Sequence, residues 1–523
     1  MKKIVSKRDL IWKIFLGILL FVFMIYTGSQ KQGFYVDEYF SFLLANTDDS
    51  ELMEMKHGNT YTGAELMDIF YVQDAADRFD FGTVWELQGR DNHPPFYYAI
   101  VHFVSSLTLK QVDLIVVGLA INIIIAMITF VFMIKLAEVF VENKMLAALY
   151  ATISCASFYF INCMTFIRMY MLLMLFTVIL VYLLCKQIGR EEYKASFFVQ
   201  LYLTTFLGTF SQYFFLIMLV FCCFFVMIQL IYKKKWKELG FGVASVIAGL
   251  ATVCVVFHEF VAHIFKSQRG TEAFSNAQSG DFVRRIKEMY AIVDVEIFGK
   301  QTILVFVLII AASILYLYLG RQKRESKQEV DYKYIILILP AVLSFVIISK
   351  IVPECTDRYI MLMMPFLSLG AFFLLRGLLS RCGRQKITEA IVLALMIFCV
   401  IQSYEKGALQ YLYENTEAYK AGIEQYGTDT KCLFLYDKDN AWRTQCNLYE
   451  LRDMTDITFY AQEDLLYNET DFSQYDHLVI FVNWAISYDE KEMIAQKVAE
   501  IGKYTSCDGI GATGYADAFM LSR

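Results

Sequence analysis

Several patterns that would assign a soluble function are missing from this sequence. It has no stripe of Lys and Arg of the kind that binds nucleic acid, and its formal net charge is only -6. Its 12 cysteines form no CxxC pair and no Cys/His spacing typical of a metal site. The chain also has no internal repeat and no low-complexity segment. These absences argue against a nucleic-acid-binding protein, a zinc-binding module and a repeat protein.

The composition is that of a polytopic membrane protein. The chain has 523 residues, is 57% hydrophobic and has a mean hydropathy of +0.45, whereas soluble domains are about 45–50% apolar. A helix needs about 20 apolar residues to cross the hydrocarbon core of a membrane. Eleven runs qualify or nearly qualify: Leu10–Thr27, Asp113–Ile134, Met145–Asn162, Met169–Cys185, Ser196–Gln212, Tyr213–Tyr232, Leu239–Phe257, Thr302–Leu319, Tyr334–Ser349, Tyr359–Leu375 and Thr388–Gln402.

Charge in the loops predicts how the spans are oriented. The basic N-terminus precedes a first span without a small-residue cleavage site, so we expect the span to be retained. The apolar segment Pro94–Leu109 is short and begins with two prolines. If it lies in the interface instead of crossing, the basic clusters at 233–237, 321–324 and 381–386 all fall on the cytoplasmic side with the N-terminus. The positive-inside rule therefore predicts a juxtamembrane helix there.

This orientation divides the chain into two predicted domains. Residues 1–402 form a transmembrane domain with a first outer loop and juxtamembrane helices at 28–110 and a second outer loop at 258–301. Residues 403–523 form a small extracytoplasmic α/β domain, because they contain strand-like runs at Cys432–Tyr436, Leu478–Val482 and Ala516–Leu521 and a helical pattern at Asp489–Ile501.

The polar residues that could do chemistry are concentrated at the outer ends of the spans. The middle of each span is nearly free of ionisable residues, although ion-coupled transporters usually carry them there. The most suggestive outer stretch is Gly33–Ser41, where the adjacent carboxylates of Asp37 and Glu38 follow the first span and are flanked by aromatic residues. Aromatic residues favour the membrane interface, where a carboxylate with restricted access to water could serve as a general base.

The order of the polar motifs resembles that of the GT-C membrane glycosyltransferases, in the branch of the protein O-mannosyltransferases and the lipid A aminoarabinose transferase (glycosyltransferase family 39-like). The Asp37-Glu38 pair comes first. The remaining motifs follow over residues 91–365: Asp91-Asn92-His93-Pro94-Pro95-Phe96-Tyr97-Tyr98, Arg168-Met169-Tyr170-Met171-Leu172-Leu173, Gln212-Tyr213-Phe214 and Asp357-Arg358-Tyr359 before Pro365. Many members have a Glu two residues before the Arg of the third motif, and this chain has Phe166 there.

The resemblance implies an inverting transfer of a sugar from a polyprenyl-phosphate donor to an acceptor on the outer face. It makes Asp37 the general base and assigns Glu38 to acceptor orientation or to a metal. Two further groups of side chains have implied roles in binding substrate. Asp91 and His93 would line the acceptor side, whereas Arg168 and Arg358 would hold the lipid phosphate, since a guanidinium binds phosphate bidentately and keeps its charge.

Each role has a structural alternative. Arg168 and Arg358 could extend to lipid headgroups, as Arg at span ends often does. His93 could cap the juxtamembrane helix. His102 and Tyr213 are further candidates for binding substrate; His102 could instead pack on the apolar face of that helix, and Tyr213 could be an interfacial anchor. Arg269, in the second outer loop, is a further candidate for contact with donor phosphate.

A transporter or flippase of a polyprenyl-linked glycan is the alternative function. It predicts polar residues through the bilayer interior, and the spans have few. Besides the polyprenyl-phosphate sugar donor and membrane lipids, the expected partner is an acceptor of open identity: protein, lipid, glycan or wall polymer. The sequence implies no cofactor other than a divalent cation, which Asp37 and Glu38 could bind. The expected location is the cell membrane, with the active site and the tail on the extracytoplasmic side.

Overall fold

The computed structural model describes the chain in ten ranges, and everything below refers to these residues. They are 7–47, 58–72, 75–322, 331–380, 385–412, 430–464, 472, 474–484 with 486, 488–512 and 516–523. The predicted basic positions 323–324 and 381–384 lie outside them.

Most of the described chain is helical. In chain order the helices are α1 Lys7–Gly28, α2 Val36–Asn46, α3 Gly63–Met67, α4 Phe81–Arg90, α5 Phe96–Thr108, α6 Leu114–Phe140, α7 Lys144–Cys155, α8 Phe158–Thr165, α9 Tyr170–Gln187, α10 Ala195–Ser211, α11 Phe215–Tyr232, α12 Trp236–Val256, α13 Phe260–Phe265, α14 Gln268–Gln278, α15 Phe282–Glu296, α16 Thr302–Gln322, α17 Tyr332–Ile351, α18 Met364–Leu379, α19 Gln385–Lys406 and α20 Tyr488–Gly502.

Every predicted span coincides with a helix or a helix pair, which confirms a helical membrane protein. Among the described residues, eight helices are at least 18 residues long and apolar enough to cross a membrane; α7 and α8, bent by 57°, would make a ninth span. The other two predicted spans are α10, with 17 residues, and α18, with 16. The predicted count of eleven is therefore larger by two, because these helices fall just short of that length. The segment predicted to be juxtamembrane is α5, with 13 residues.

By packing, the described residues fall into two compact units. The bundle unit comprises residues 1–29, 88–97 and 119–409, and the sheet unit comprises residues 30–87, 98–118 and 410–523. The first outer loop is thus grouped with the tail, whereas the sequence assigned it to the transmembrane domain. The boundary at residue 402 stays a prediction.

In the bundle unit, α9 is central and several other helices present apolar side chains outward. The most apolar window of α9 is 83% buried, compared with 11% for α12 and 17% for α16. Exposed apolar surface of this extent is expected to face lipid. Close packing also depends on small residues: a Cβ on Gly249 of α12 would lie 2.9 Å from Cβ of Thr205 of α10, so only glycine fits without a shift at this crossing.

The sheet unit is built on a six-stranded sheet in the order β1-β3-β2-β4-β6-β5. Its strands are β1 Thr60–Tyr61, β2 Lys431–Tyr436, β3 Ile457–Ala461, β4 His477–Asn483, β5 Ser506–Ala512 and β6 Ala516–Ser522. The strands β3, β2 and β4 are parallel, and the others pair antiparallel. One face packs Leu433, Leu435, Ile480 and Val482 against Val498 and Ala499 of α20.

The predicted tail elements correspond to β2, β4, α20 and β6, which confirms a small α/β domain. The sequence analysis missed β1, β3 and β5. The strand β1 comes from the first outer loop and pairs with β3 through Thr60–Thr458 and Tyr61–Ile457. Two residues of strand give no detectable alternation in a sequence.

Candidate active site

The predicted site residues are shared between the two units. Asp37, Glu38 and His102 belong to the sheet unit. The bundle unit holds the others: Asp91, His93, Arg168, Tyr213, Arg269 and Arg358.

Asp37 lies in the first turn of α2, next to a fully buried ion pair. The Glu38 carboxylate accepts from Lys31 Nζ at 3.0 and 2.8 Å and from the Tyr35 backbone N–H at 2.6 Å. The side chains of Lys31 and Glu38 are both 0% exposed. The contact from Tyr35 helps begin the helix, since a side chain at the third helical position satisfies a free backbone donor. Asp37 itself is half-buried. The charge of Glu38, next to Asp37 in the sequence, is therefore fixed in place, while Asp37 keeps access to solvent.

His102 is packed in the sheet unit. Its side chain is 3% exposed, and its ring meets the ring of Phe81 edge-on at 5.5 Å. Burial lowers the pKa of His102, against the weaker effects of a backbone contact and nearby aspartates. This environment agrees with the packing alternative, and a role in substrate binding stays a prediction.

Asp91, His93 and Arg168 come together in the bundle unit. His93 Nδ1 lies 2.6 Å from Asp91 Oδ2. Burial acts to raise the pKa of Asp91, but the charge and hydrogen bond of His93 and the charge of Arg168 outweigh burial, and the pKa falls to about 2. Arg168 is 4% exposed. A buried guanidinium whose charge acts on a carboxylate paired with an imidazole could help to bind a sugar or a phosphate.

One buried amide orders the chain before Arg168. Asn122 of α6 donates from Nδ2 to the backbone oxygens of Met164 and Phe166, at 3.1 and 2.6 Å, and its Oδ1 accepts from Tyr97 Oη at 3.1 Å. Tyr97 belongs to the same motif as Asp91, so Asn122 links the two motifs. Phe166, two residues before Arg168, is fully buried and stacks on Tyr170 at 5.4 Å.

Tyr213 joins this group through a residue that the sequence analysis missed. Its hydroxyl lies 2.9 Å from Nδ1 of His263, and His263 Nε2 lies 3.2 Å from the backbone oxygen of Gly89. A carbonyl only accepts, so Nε2 carries the proton there, and in the neutral imidazole Tyr213 donates to Nδ1. Burial and the negative charge of Asp91 raise the pKa of Tyr213. His263 lies in the second outer loop, within the mostly apolar run Phe260–Phe265 of α13, and no motif in the sequence signals it.

Arg358 lies between α17 and α18, in a short 3₁₀ turn at Asp357–Tyr359. Its guanidinium carbon is 5.0 Å from the centre of the Tyr359 ring, and Nη2 donates to Tyr359 Oη at 3.3 Å. Asp357 is 2% exposed; it accepts from the Arg358 backbone N–H and from Asn162 Nδ2, each at 2.8 Å. These contacts fix the turn that presents Arg358.

Glu296, at the end of α15, is a second buried acid in this region that sequence reasoning missed. It is 6% exposed, and its Oε2 has no hydrogen-bond partner among the described residues. Burial, with the negative charge of Asp357, raises the pKa of Glu296 well above its usual range. Glu296 follows an amphipathic stretch in an outer loop, and its sequence context resembles that of a solvated charge.

Arg269 is the predicted residue with the most exposed surroundings. Its guanidinium pairs with Glu272 one turn along α14 at 3.1 Å, and its side chain is 56% exposed. A surface pair of this kind is worth little energetically. Within the part of the chain that the structure describes, no three Cys, His, Asp or Glu side chains are grouped as a metal centre requires. The possible divalent cation stays a prediction.

Comparison with known proteins gives structural similarity only. No family model and no curated protein matches the chain. The aminoarabinose transferase ArnT from Cupriavidus metallidurans, bound to undecaprenyl phosphate, is 9% identical and similar over 98% of both chains with a TM-score of 0.49. The apo form of the same protein is 10% identical and similar over 96% of this chain and 97% of that chain, with a TM-score of 0.45. The Archaeoglobus fulgidus oligosaccharyltransferase in complex with Zn and sulfate is 10% identical over 96% of this chain and 73% of that chain, with a TM-score of 0.44. These solved structures have the GT-C fold.

Proposed function

We propose that the chain is a membrane glycosyltransferase that moves a sugar from a polyprenyl-phosphate donor to an acceptor on the extracytoplasmic face. An acceptor hydroxyl attacks the anomeric carbon while the bond from that carbon to the phosphate oxygen breaks, so the configuration inverts. Asp37 takes the proton of the attacking hydroxyl. The departing group is the polyprenyl phosphate, which keeps the bonding electrons and needs positive charge near it.

Arg168 and Arg358 supply that charge in the proposal. Arg168 is buried and lies in a connection ordered by Asn122, and Arg358 is presented by a turn fixed through Asp357. A guanidinium held in this way reaches a phosphate with two parallel hydrogen bonds and loses little conformational entropy on binding. Asp91 and His93, paired at 2.6 Å, are assigned to the acceptor side. Arg269 is a weaker candidate for contact with donor phosphate.

The observation that carries the proposal is the meeting of three separate connections. Asp91 and His93 lie between α4 and α5, Arg168 lies between α8 and α9, and Tyr213 lies between α10 and α11. Hydrogen-bond distances link Tyr213 to His263 and His263 to Gly89, two residues before Asp91, and the charges of Arg168 and Asp91 affect the pKa of Asp91 and of Tyr213, respectively. If each apolar helix crosses once, these connections are all on one side of the membrane. Convergence there supports a site at a membrane surface for a substrate with a lipid tail.

The charge of the opposite connections supports the predicted orientation. Arg190, Lys194 and the run Lys233–Lys235 lie in connections that alternate with those of the site. Basic residues concentrate on the cytoplasmic side. The N-terminus is then cytoplasmic, and the site and the tail are extracytoplasmic.

The test is donor consumption by purified protein in detergent. Wild type, Asp37→Asn and Asp68→Asn are each incubated with a panel of radiolabelled polyprenyl-phosphate sugars. We expect one donor to be consumed by wild type and by Asp68→Asn, with at least a 100-fold loss in Asp37→Asn, since general-base catalysis contributes about 10²–10⁴-fold. Asp68 is a suitable control because it forms an ordinary surface pair with Lys110.

Two outcomes contradict the proposal. Equal donor consumption by Asp37→Asn and wild type would remove Asp37 as the base. No consumption of any donor, with movement of a lipid-linked glycan across proteoliposomes, would favour the flippase instead.

A further inference from the structure

The chain that leads into Asp37 is held by the C-terminal part of the protein. Within the sheet unit, the Gln32 backbone N–H donates to the oxygen of Leu412 at 2.8 Å. Lys31 Nζ, besides pairing with Glu38, donates to the backbone oxygen of Tyr411. The rings of Tyr35 and Tyr411 meet edge-on at 5.4 Å. The segment before α2 is therefore anchored to residues almost 400 positions later in the sequence.

The side of α2 after Asp37 is anchored to the C-terminal part as well. Tyr39 Oη donates to Glu450 Oε2 at 2.9 Å, and both side chains are buried. The ring of Phe34 packs edge-on against Tyr449 at 4.9 Å and lies 5.2 Å from the ring of Tyr39. These contacts place residues 34 and 39, on either side of Asp37, against the stretch 449–450.

The charge of Asp37 also acts on Cys446, close to the stretch 449–450. Cys446, 1% exposed, lies four residues before Glu450. Burial, and then the negative charges of Glu450 and Asp37, raise the pKa of Cys446, with Arg443 acting in the opposite direction. This effect agrees with the contacts of Tyr39 with Glu450 and of Phe34 with Tyr449 on either side of Asp37.

The first outer loop and the tail are also joined by backbone packing. Gly63 donates its N–H to the oxygen of Met454 at 2.7 Å. A Cβ at position 63 would lie 2.1 Å from the backbone oxygen of Leu451, so only glycine fits. The hydroxyls of Thr60 and Thr458 are 2.7 Å apart across the β1–β3 pair. The arrangement of loop and tail is thus fixed by several independent contacts.

We propose that the tail is a positioning element for Asp37 and that it acts through one set of contacts before Asp37 in the sequence and one after it. Glu450 acts through Tyr39, and Tyr411 acts through Lys31 and Glu38. Together they fix the direction of the first turn of α2. This inference depends on the proposed function, since position matters only if Asp37 takes the proton. A displacement of about 1 Å can cost roughly 100-fold in rate, so the contacts need not touch substrate to be essential.

The first test is a pair of matched hydroxyl deletions. Tyr39→Phe removes the donor to Glu450, whereas Tyr504→Phe removes an equally buried bond, from Tyr504 Oη to the backbone oxygen of Phe472 at 3.0 Å, elsewhere in the same unit. We expect Tyr39→Phe to lower kcat about tenfold with an unchanged KM for donor, because only alignment changes. Tyr504→Phe should leave kcat and KM unchanged. Equal kcat in the two variants would overturn the proposal.

The second test uses the partner of Tyr39. Glu450→Gln keeps an oxygen that accepts from the hydroxyl, so it should restore most of the kcat that Glu450→Ala loses. The double variant Tyr39→Phe/Glu450→Ala should be no slower than Glu450→Ala, since both changes delete the same bond. If the loss of kcat in the double variant equals the product of the losses in the two single variants, Tyr39 and Glu450 act separately, which contradicts the proposal.

A readout without turnover separates this inference from the proposed function. Amide hydrogen exchange over Val36–Asn46 should rise in Tyr39→Phe and stay at the wild-type rate in Tyr504→Phe. Unchanged exchange in Tyr39→Phe would overturn the positioning role alone. Failure of wild type to consume any donor would overturn the proposed function whatever the exchange shows.

Discussion

Two buried glutamates, one in each unit, are held in opposite ways. Glu38 of the sheet unit is 0% exposed, and its oxygens accept from the Lys31 ammonium and the Tyr35 backbone N–H. Glu296 of the bundle unit is 6% exposed, and its strongest electrostatic neighbour is the negative charge of Asp357. The two environments differ in the sign of the charge that acts on the carboxyl group.

The difference teaches that burial alone does not determine the state of a carboxyl group. A buried charge requires a partner that is both opposite in sign and hydrogen-bonded. Lys31 provides this for Glu38, although burial lowers the pKa of Lys31 and the charge of Glu38 opposes burial. For Glu296, burial and the like charge of Asp357 raise the pKa, so the neutral form is the favoured one.

The largest expected effect comes from breaking the pair in the sheet unit. Lys31→Met leaves the Glu38 charge buried and uncompensated, which should lower the free energy of unfolding by about 3–5 kcal/mol. Adding Glu38→Gln removes the stranded charge and should restore most of the stability. The measurement is the thermal unfolding midpoint of purified protein in detergent.

The control for this prediction is a lysine in the same unit with an exposed partner. Lys110 Nζ lies 2.8 Å from Asp68 Oδ1, and both side chains are more than a third exposed. Lys110→Met should cost no more than about 1 kcal/mol. Equal shifts for Lys31→Met and Lys110→Met would show that the buried pair has no special role.

A smaller effect is expected from Asp91, whose partner is a histidine and whose side chain is 25% exposed. Its pKa is lowered from 3.8 to about 2. A carboxyl with a lowered folded-state pKa stabilises the fold above its unfolded pKa and loses that contribution as the pH falls through the folded value. The contribution is about 2 kcal/mol, at 1.36 kcal/mol per pKa unit.

This predicts a stability loss confined to strongly acidic solution. Between about pH 4 and pH 2 the unfolding midpoint of wild type should fall more steeply than that of Asp91→Asn, which lacks the titrating group. Parallel curves over this interval would show that the pairing with His93 and the charge of Arg168 do not stabilise the ionised form.

The sequence was sufficient for the elements whose signal is local. A span must be apolar along its whole length, so the helices from α1 to α19 that were predicted as spans could be located from composition. Within the tail, the runs of apolar residues located β2, β4 and β6. The short strand β1 could not be predicted, because its pairing with β3 joins residues about 400 positions apart.

The candidate site was predictable only where residues form motifs. Asp91, His93, Arg168 and Tyr213 were chosen from motifs, and the structure brings them together. His263 and Glu296 were missed, because a single histidine or glutamate outside a motif gives no sign of the partners that surround it in the fold. The pairing of Lys31 with Glu38 has no signal in the sequence, since irregular chain and the start of α2 lie between the two residues. Such partnerships depend on tertiary packing and leave no periodic signal.

The smallest change in stability is expected from Glu296→Gln. This variant is also the most direct test of the contrast between Glu38 and Glu296. An acid whose folded-state pKa is raised stabilises the fold fully below its unfolded value, near pH 4.5, and loses that contribution as the pH rises towards the folded value. Glutamine has nearly the shape of the neutral acid, so the variant should match wild type at about pH 4.5 and become the more stable protein at higher pH. Unfolding midpoints measured from acid to alkaline solution give the difference. If the two curves stay parallel, Glu296 is ionised in the folded protein and has a compensating partner like that of Glu38, and the contrast between the two glutamates is wrong.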